Sequence, residues 1–128
     1  MPAPRHINAT HHFDLSTALR LASVAELVYA DPRLVERTVI AAWQYAHFCF
    51  LDVEATQCLL AADSPSILVC FRGTEADRPE DWITTLDFDL VDGPFGGRMH
   101  EGFYGALSCV WHLLDKEVGR LQCHRNDA

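Results

Sequence analysis

Ile67-Leu68-Val69-Cys70-Phe71-Arg72-Gly73-Thr74 is the stretch whose reading decides the fold. An apolar run containing the β-branched Ile67 and Val69 stops abruptly at a polar, glycine-containing turn, which reads as a buried strand entered through Asp63-Ser64-Pro65-Ser66. Gly73 permits positive φ, so the amide of Thr74 is free to point out of the sheet instead of into a ladder. A backbone N–H beside a threonine hydroxyl, held at the end of a rigid strand, is what an oxyanion requires in acyl transfer. Taken alone, the tetrapeptide fits an ordinary strand-to-loop exit better, and only the residues downstream shift that balance.

Those residues are Asp81-Trp82-Ile83 with Leu86, then Asp87-Phe88-Asp89, then His100-Glu101-Gly102-Phe103-Tyr104. With Phe71-Arg72-Gly73-Thr74 they stand in an order and spacing that resembles the amino-terminal half of the class 3 lipases, the fungal-lipase-like branch of the α/β hydrolases. The resemblance is clear from Val53 to Leu121 and weak before that. It implies a partial α/β-hydrolase fold (class α/β): N-terminal helices, an antiparallel hairpin leading into a mixed sheet, and a covering C-terminal helix. It also implies roles. Thr74, following Gly73, would supply an oxyanion-hole donor, and Asp81, Trp82 and Ile83 would belong to or border a lid, although Trp82 suits an anchor of its loop to the core equally well. Apart from the resemblance, His100 reads as positioning beside the oxyanion loop or as plain packing. The implied substrate is a lipid or carboxylic ester, with no cofactor.

The resemblance also demands a Gly-His-Ser-x-Gly elbow, and the chain has none. The serines are Ser16, Ser23, Ser64, Ser66 and Ser108, and none sits between glycines at the elbow spacing. Ser108 comes nearest, in Gly105-Ala106-Leu107-Ser108-Cys109, but lacks the second glycine and falls inside a helical pattern. No residue of this chain is therefore assigned as nucleophile, acid or base. His100 has an imidazole suited to general base work, yet there is no elbow serine for it to activate. By itself the chain is expected to be inactive.

The chain has 128 residues, 49% of them hydrophobic, which allows one domain with a modest core. Residues 1–12 read as a flexible leader and 13–128 as an incomplete class 3 lipase-like domain. The formal net charge of -8 offers no basic field for nucleic acid. Met1-Pro2-Ala3-Pro4-Arg5-His6 lacks a signal-peptide core, and no window approaches the roughly 18 apolar residues of a membrane span. The expectation is a soluble, cytoplasmic protein.

The cysteines, Cys49, Cys58, Cys70, Cys109 and Cys123, show no zinc or redox spacing and read as small buried thiols. If residues 58 to 61 pair with 67 to 70, Cys58 faces Cys70, the one disulfide candidate; a reducing cytoplasm favours thiols. The leader histidines His6, His11 and His12 lack a thiol or carboxylate partner at helical spacing and read as solvated. Asp87, Asp89 and Asp92 do not match a calcium loop, because Gly93 falls one place late and Arg98 stands where the glutamate belongs. No metal site is assigned.

Asp14 is placed to cap a helix whose apolar stripe is Leu15, Ala18, Leu19, Ala22, Ala25, Val28 and Tyr29. Asp31-Pro32 closes it and opens a second helix through Leu34, Val35, Thr38, Val39 and Ala42. Trp43, Tyr45 and Phe48 are expected to pack between these helices and the sheet. Strands are expected at 49–53, 56–61 and 86–91, with 93–97 a flexible turn. A final helix carries Phe103, Leu107, Val110, Trp111, Leu114, Val118 and Leu121 on one stripe, with a frayed end from Gln122.

A reading from a different class stays open beside the hydrolase. A small, self-contained α+β binding or interaction domain would use Trp82, Trp43 and the acidic strand as a surface and do no chemistry. Half of a doubly wound sheet, by contrast, should expose an apolar edge and self-associate.

Overall fold

The computed structural model describes residues 13–54, 56–63, 66–73 and 89–126. The leader 1–12, Thr74, Asp81, Trp82, Ile83 and the segment from Leu86 to Phe88 lie outside these described residues. Within them the content is mixed α and β, and the strands are antiparallel. Strands β1 (His47–Val53), β2 (Thr56–Ala62) and β3 (Ile67–Arg72) form a three-stranded sheet in the order β1-β2-β3. A separate two-stranded hairpin joins β4 (Leu90–Asp92) to β5 (Arg98–His100). The parallel strands of a mixed sheet are not among the described residues.

The middle strand is β2, not the run at 67–72. From Cys58 to Ala62 every β2 residue is buried, since each of its edges is paired and each of its faces is covered. Strand β3 has a single neighbour among the described residues and is only partly buried, with Phe71 exposed. The expectation of a buried strand at 67–72 is corrected to this extent: among the described residues it is paired on one side only and is partly buried, with Leu68 its one buried residue.

Register is set by the connection. Asp63 accepts hydrogen bonds on one carboxylate oxygen from the Ser66 amide (3.1 Å) and hydroxyl (2.9 Å), while the Asp63 amide donates to the Ser66 carbonyl. This Asx-type turn lets Ala62 stay in the strand and pair with Ile67. The whole ladder is thereby one residue out from the expected register: Cys58 pairs with Phe71, and Cys70 with Leu59. Cys58 and Cys70 do not face each other, and all the cysteines are free thiols.

Alternation along β2 feeds two cores. Leu59 and Ala61 point to one face, where they pack with Leu68, Val24, Val28, Val35, Val39 and Tyr45. Cys58, Leu60 and Ala62 point to the other, against Leu51, Val110, Leu114 and Leu121. Fully burying Leu59 or Leu60 stabilises by about 1.5–3 kcal/mol each. The sheet is thus a middle layer with helices on both sides.

Helix α1 (Leu15–Leu27) starts where expected: the Asp14 carboxylate accepts from the Thr17 amide (2.8 Å) and hydroxyl (2.7 Å). Its buried face differs from the expected stripe. Arg20, Val24 and Val28 face the sheet, with Leu27 packed beside them, whereas Leu15, Leu19, Ala22 and Ala25 face outward. These inward residues also keep the three- and four-residue spacing, but the line runs through an arginine, whose methylene stem packs like an apolar side chain. Helix α2 (Pro32–Arg37), capped by Asp31, buries Val35 and runs into a π-helical turn, Thr38–Ala42, that buries Val39. Tyr45 is buried, and Trp43 and Phe48 pack against the same core, as expected.

Helix α3 (Glu101–Asn126) covers the other face through Val110, Leu114 and Leu121, supported by Leu107 and Val118. Phe103 and Trp111, assigned to the same stripe, are instead exposed. The helix continues to Asn126, so Gln122 to Asn126 belong to it and are not a frayed end. The β4–β5 hairpin turns through Gly96 (φ 85°) and Gly97 (φ 79°), backbone angles that favour glycine. Among the described residues, no helix is long and apolar enough to cross a membrane.

Candidate functional site

The exit of β3 is where the sequence analysis expects an oxyanion-binding turn, and its described residues are Arg72 and Gly73. Arg72 continues the face of Leu68 and Cys70, which lies towards α1, and its guanidinium carbon sits 5.8 Å from the centre of the Tyr29 ring. Tyr29 stands just past α1, in a turn where its amide donates to the Glu26 carbonyl at 3.3 Å, beside the buried Val28. Its ring reaches across to the strand end. A Cβ at position 73 would lie 2.6 Å from the Tyr29 hydroxyl oxygen, closer than real contacts permit. A larger residue at 73 would therefore need the end of the Tyr29 side chain to shift.

Tyr29 enters the sequence reading only as an apolar stripe position, so its place beside Gly73 was not foreseen. No local signal announces it, because 43 residues of chain lie between the two positions. Thr74, Asp81, Trp82 and Ile83 lie outside the described residues, so the turn is described only as far as Gly73.

His100 ends β5. Its Nδ1 accepts a hydrogen bond from the Phe103 amide (3.4 Å), and its ring lies 4.9 Å from that of Phe103. A Cβ at Gly102 would meet this imidazole at 3.1–3.3 Å. His100 therefore serves the start of α3 as a capping side chain. Ser108 is committed elsewhere as well: its hydroxyl donates to the Tyr104 carbonyl one turn back in α3, at 2.7 Å. That geometry suits a helical serine and gives no nucleophile elbow.

The thiols divide by environment. Cys58 is buried, and desolvation, with the neighbouring Cys49 and Cys70, pushes its pKa up to about 11. Burial also raises Cys49 and Cys70, which are partly covered. Cys109 and Cys123 are exposed, contrary to the expectation of burial; the Cys109 thiol donates to Glu54 at 3.4 Å, which raises its pKa. The shifts of Cys49, Cys58, Cys70 and Cys109 all run upward, the opposite of what a nucleophilic cysteine needs. Among the described residues, no cluster of three or more His, Cys, Asp or Glu gathers to hold a metal ion.

The chain is similar to triacylglycerol lipase OBL1 of Nicotiana tabacum, 37% identical over 108 residues that cover 75% of this chain. It is also similar to the proteins of that name from Ricinus communis, 32% identical, and Arabidopsis thaliana, 30% identical, each over 65% of this chain. These matches support a lipase-like family. The chain spans 18% of the length of each of the three relatives. No family model and no solved structure matches it. The lipase-like reading therefore rests on sequence similarity.

Proposed function

We infer that this chain is the oxyanion-strand portion of a class 3 lipase-like serine hydrolase acting on lipids or other carboxylic esters. The observation that carries the reading is the similarity to triacylglycerol lipases over most of the chain. In this reading the sheet edge delivers Gly73 and Thr74 to the reaction centre, where the Thr74 amide, with its hydroxyl alongside, receives the negative charge that develops on the ester carbonyl. Asp81, Trp82 and Ile83 border the acyl chain as part of a lid. His100 acts through the position of α3 and not as a base. The partial α/β-hydrolase fold is part of the same proposal, as is self-association through the β3 edge.

A donor stabilises charge only when something creates it. No Gly-x-Ser-x-Gly elbow occurs in the chain, so the attacking hydroxyl must be supplied by other polypeptide. The 128-residue chain, assayed on 4-nitrophenyl butyrate and tributyrin, is expected to give no turnover that a serine-directed phosphonate abolishes. Robust inhibitor-sensitive turnover by this chain would contradict the assignment. In a longer chain that carries the elbow, Thr74→Pro removes the N–H in question and is expected to lower kcat by about 10²–10³-fold. An unchanged kcat would remove Thr74 from the site.

A further inference from the structure

We propose that the tip of the β4–β5 hairpin, Gly93-Pro94-Phe95-Gly96-Gly97, is an anchor that inserts Phe95 into an uncharged lipid surface. The proposal rests on the lipid-ester reading of the chain and adds to it a place of contact away from the bend after β3. Phe95 is 99% exposed, more than any other large apolar residue among those described. Its side chain therefore contributes nothing to the core. Its backbone, in contrast, is held: the Gly93 amide donates to the Gly97 carbonyl at 2.8 Å, and the Gly96 amide donates to the Gly93 carbonyl at 3.3 Å. The strands below the turn are paired from Asp92 and Arg98 to Leu90 and His100. Half-exposed leucines are ordinary on a protein surface, but a whole aromatic ring presented to water on a formed turn is not.

The turn is built to leave water at low cost. It carries no charged side chain, Pro94 has no amide hydrogen, and the amides of Gly93 and Gly96 are bonded inside the turn. Few backbone donors are therefore stripped of water when the tip enters an apolar layer. The Arg98 side chain folds back along the hairpin, its Nη2 donating to the Leu90 carbonyl at 2.8 Å, which draws the nearest cation towards the base. At that base Leu90 is exposed, as is Phe103, whose ring lies 4.9 Å from that of His100. Exposed apolar groups thus stand at both ends of the hairpin. Lipid esters gather in a phase apart from water, so an enzyme that acts on them works at a surface. A ring on a fixed turn loses little freedom on insertion. The formal net charge of -8 opposes an anionic surface and so selects an uncharged or zwitterionic one.

The test is flotation of the 128-residue chain with triolein droplets coated in phosphatidylcholine. The unaltered chain is expected to float with the droplets. Phe95→Asp is expected to weaken that partition about tenfold or more, the loss of one buried aromatic side chain. Phe95→Trp is expected to keep it, because a lipid layer accepts any apolar ring. An unchanged unfolding midpoint shows that each variant is folded, as a residue outside the core allows. Adding phosphatidylserine to the coat is expected to weaken binding; stronger binding would overturn the choice of an uncharged surface. If Phe95→Asp floats as well as the unaltered chain, or if Leu19→Asp on the outward side of α1 loses as much, the hairpin is not the anchor. If the unaltered chain does not float, the lipid anchor is overturned and Phe95 is left to a pocket on another protein. The ester-hydrolase reading is judged separately, by turnover of water-soluble 4-nitrophenyl butyrate in a longer chain, which needs no anchor.

Discussion

Helices α1 and α3 cover opposite faces of one sheet, yet they do so with different materials. On α3, Val110, Leu114 and Leu121 form an uninterrupted apolar line that matches the alternate residues of β2. On α1 the corresponding line is Arg20, Val24 and Val28, and Arg20 is only 3% exposed. Its Nε and Nη1 have no hydrogen-bond partner among the described residues. Meanwhile Leu15 (64% exposed) and Leu19 (62%) face outward. One helix is seated by its apolar residues and the other partly against them. What decides orientation on α1 is the match of the small Val24 and Val28 to Leu59, Ala61 and Leu68, with α2 and the π-helical turn closing the same cluster.

The sharpest way to break this comparison is through the residues both helices rest on. Leu60→Ala opens a cavity under α3 and Leu59→Ala opens one under α1; each is expected to cost about 2–5 kcal/mol in chemical denaturation. Similar losses mean that both faces are equally well packed. A much smaller loss for Leu59→Ala would show that the α1 face is loosely seated. Arg20→Met follows in size. It keeps the stem and removes the buried charge, and is expected to leave stability unchanged or raise it by about 1 kcal/mol, measured by thermal unfolding. A large destabilisation would mean that Arg20 is held by a strong buried partner. Leu19→Ala should stay within about 0.5 kcal/mol of the unaltered chain; a core-sized loss would place Leu19 against the sheet.

The same contrast explains what the amino-acid sequence discloses. The stripe of α3 is legible at Val110, Leu114 and Leu121 because every inward residue there is apolar. The stripe of α1 is not, because counting apolar residues passes over Arg20, whose stem packs and whose head group does not declare itself. Caps at Asp14 and Asp31 are legible because they act on amides two or three residues away. Which strand is central is not. Thr56–Ala62 and Ile67–Arg72 have similar compositions, and only the neighbours on each side separate a middle strand from an edge. Register failed by a single residue at Ala62, since the Asp63–Ser66 turn is shorter than the polar run suggests. Strand β5 was missed because Arg98-Met99-His100 is too short for a pattern to show. At the candidate site Gly73 is legible as a bend, but Tyr29 is not, because that contact is made by the fold and not by the local sequence.

The two helices are also tied down by different chemistry, and this separates them by pH at a smaller scale. Helix α1 depends on the Asp14 carboxylate, whose pKa is lowered by hydrogen bonds from the Thr17 hydroxyl and amide. A depressed folded pKa means the cap contributes fully above the ordinary value of 3.8 and is lost as pH falls through the lower folded value. Asp14→Ala should therefore lower the midpoint of thermal unfolding at neutral pH and lose that effect in strong acid; a pH-independent effect would show that the carboxylate charge is not what holds the cap.

Helix α3 is tied to the sheet instead by neutral donors. Thr56 Oγ1 donates to the Ala106 carbonyl at 3.2 Å, and the Cys109 thiol donates to Glu54 in the turn between β1 and β2. Glu54 raises the Cys109 pKa, first by accepting the S–H and then, after desolvation, by its negative charge opposing a thiolate. Glu54→Gln removes the charge while keeping an acceptor, so Cys109 should ionise at lower pH and react faster with iodoacetamide. Cys123, also exposed, provides the internal reference in the same digest, because it has no such contact with Glu54. If the Cys109 to Cys123 labelling ratio is unchanged by Glu54→Gln, the thiol–carboxylate contact does not tether α3 to the hairpin in solution, and Thr56 remains to do so. Disruption of that second contact by Thr56→Val then becomes the more damaging change for α3.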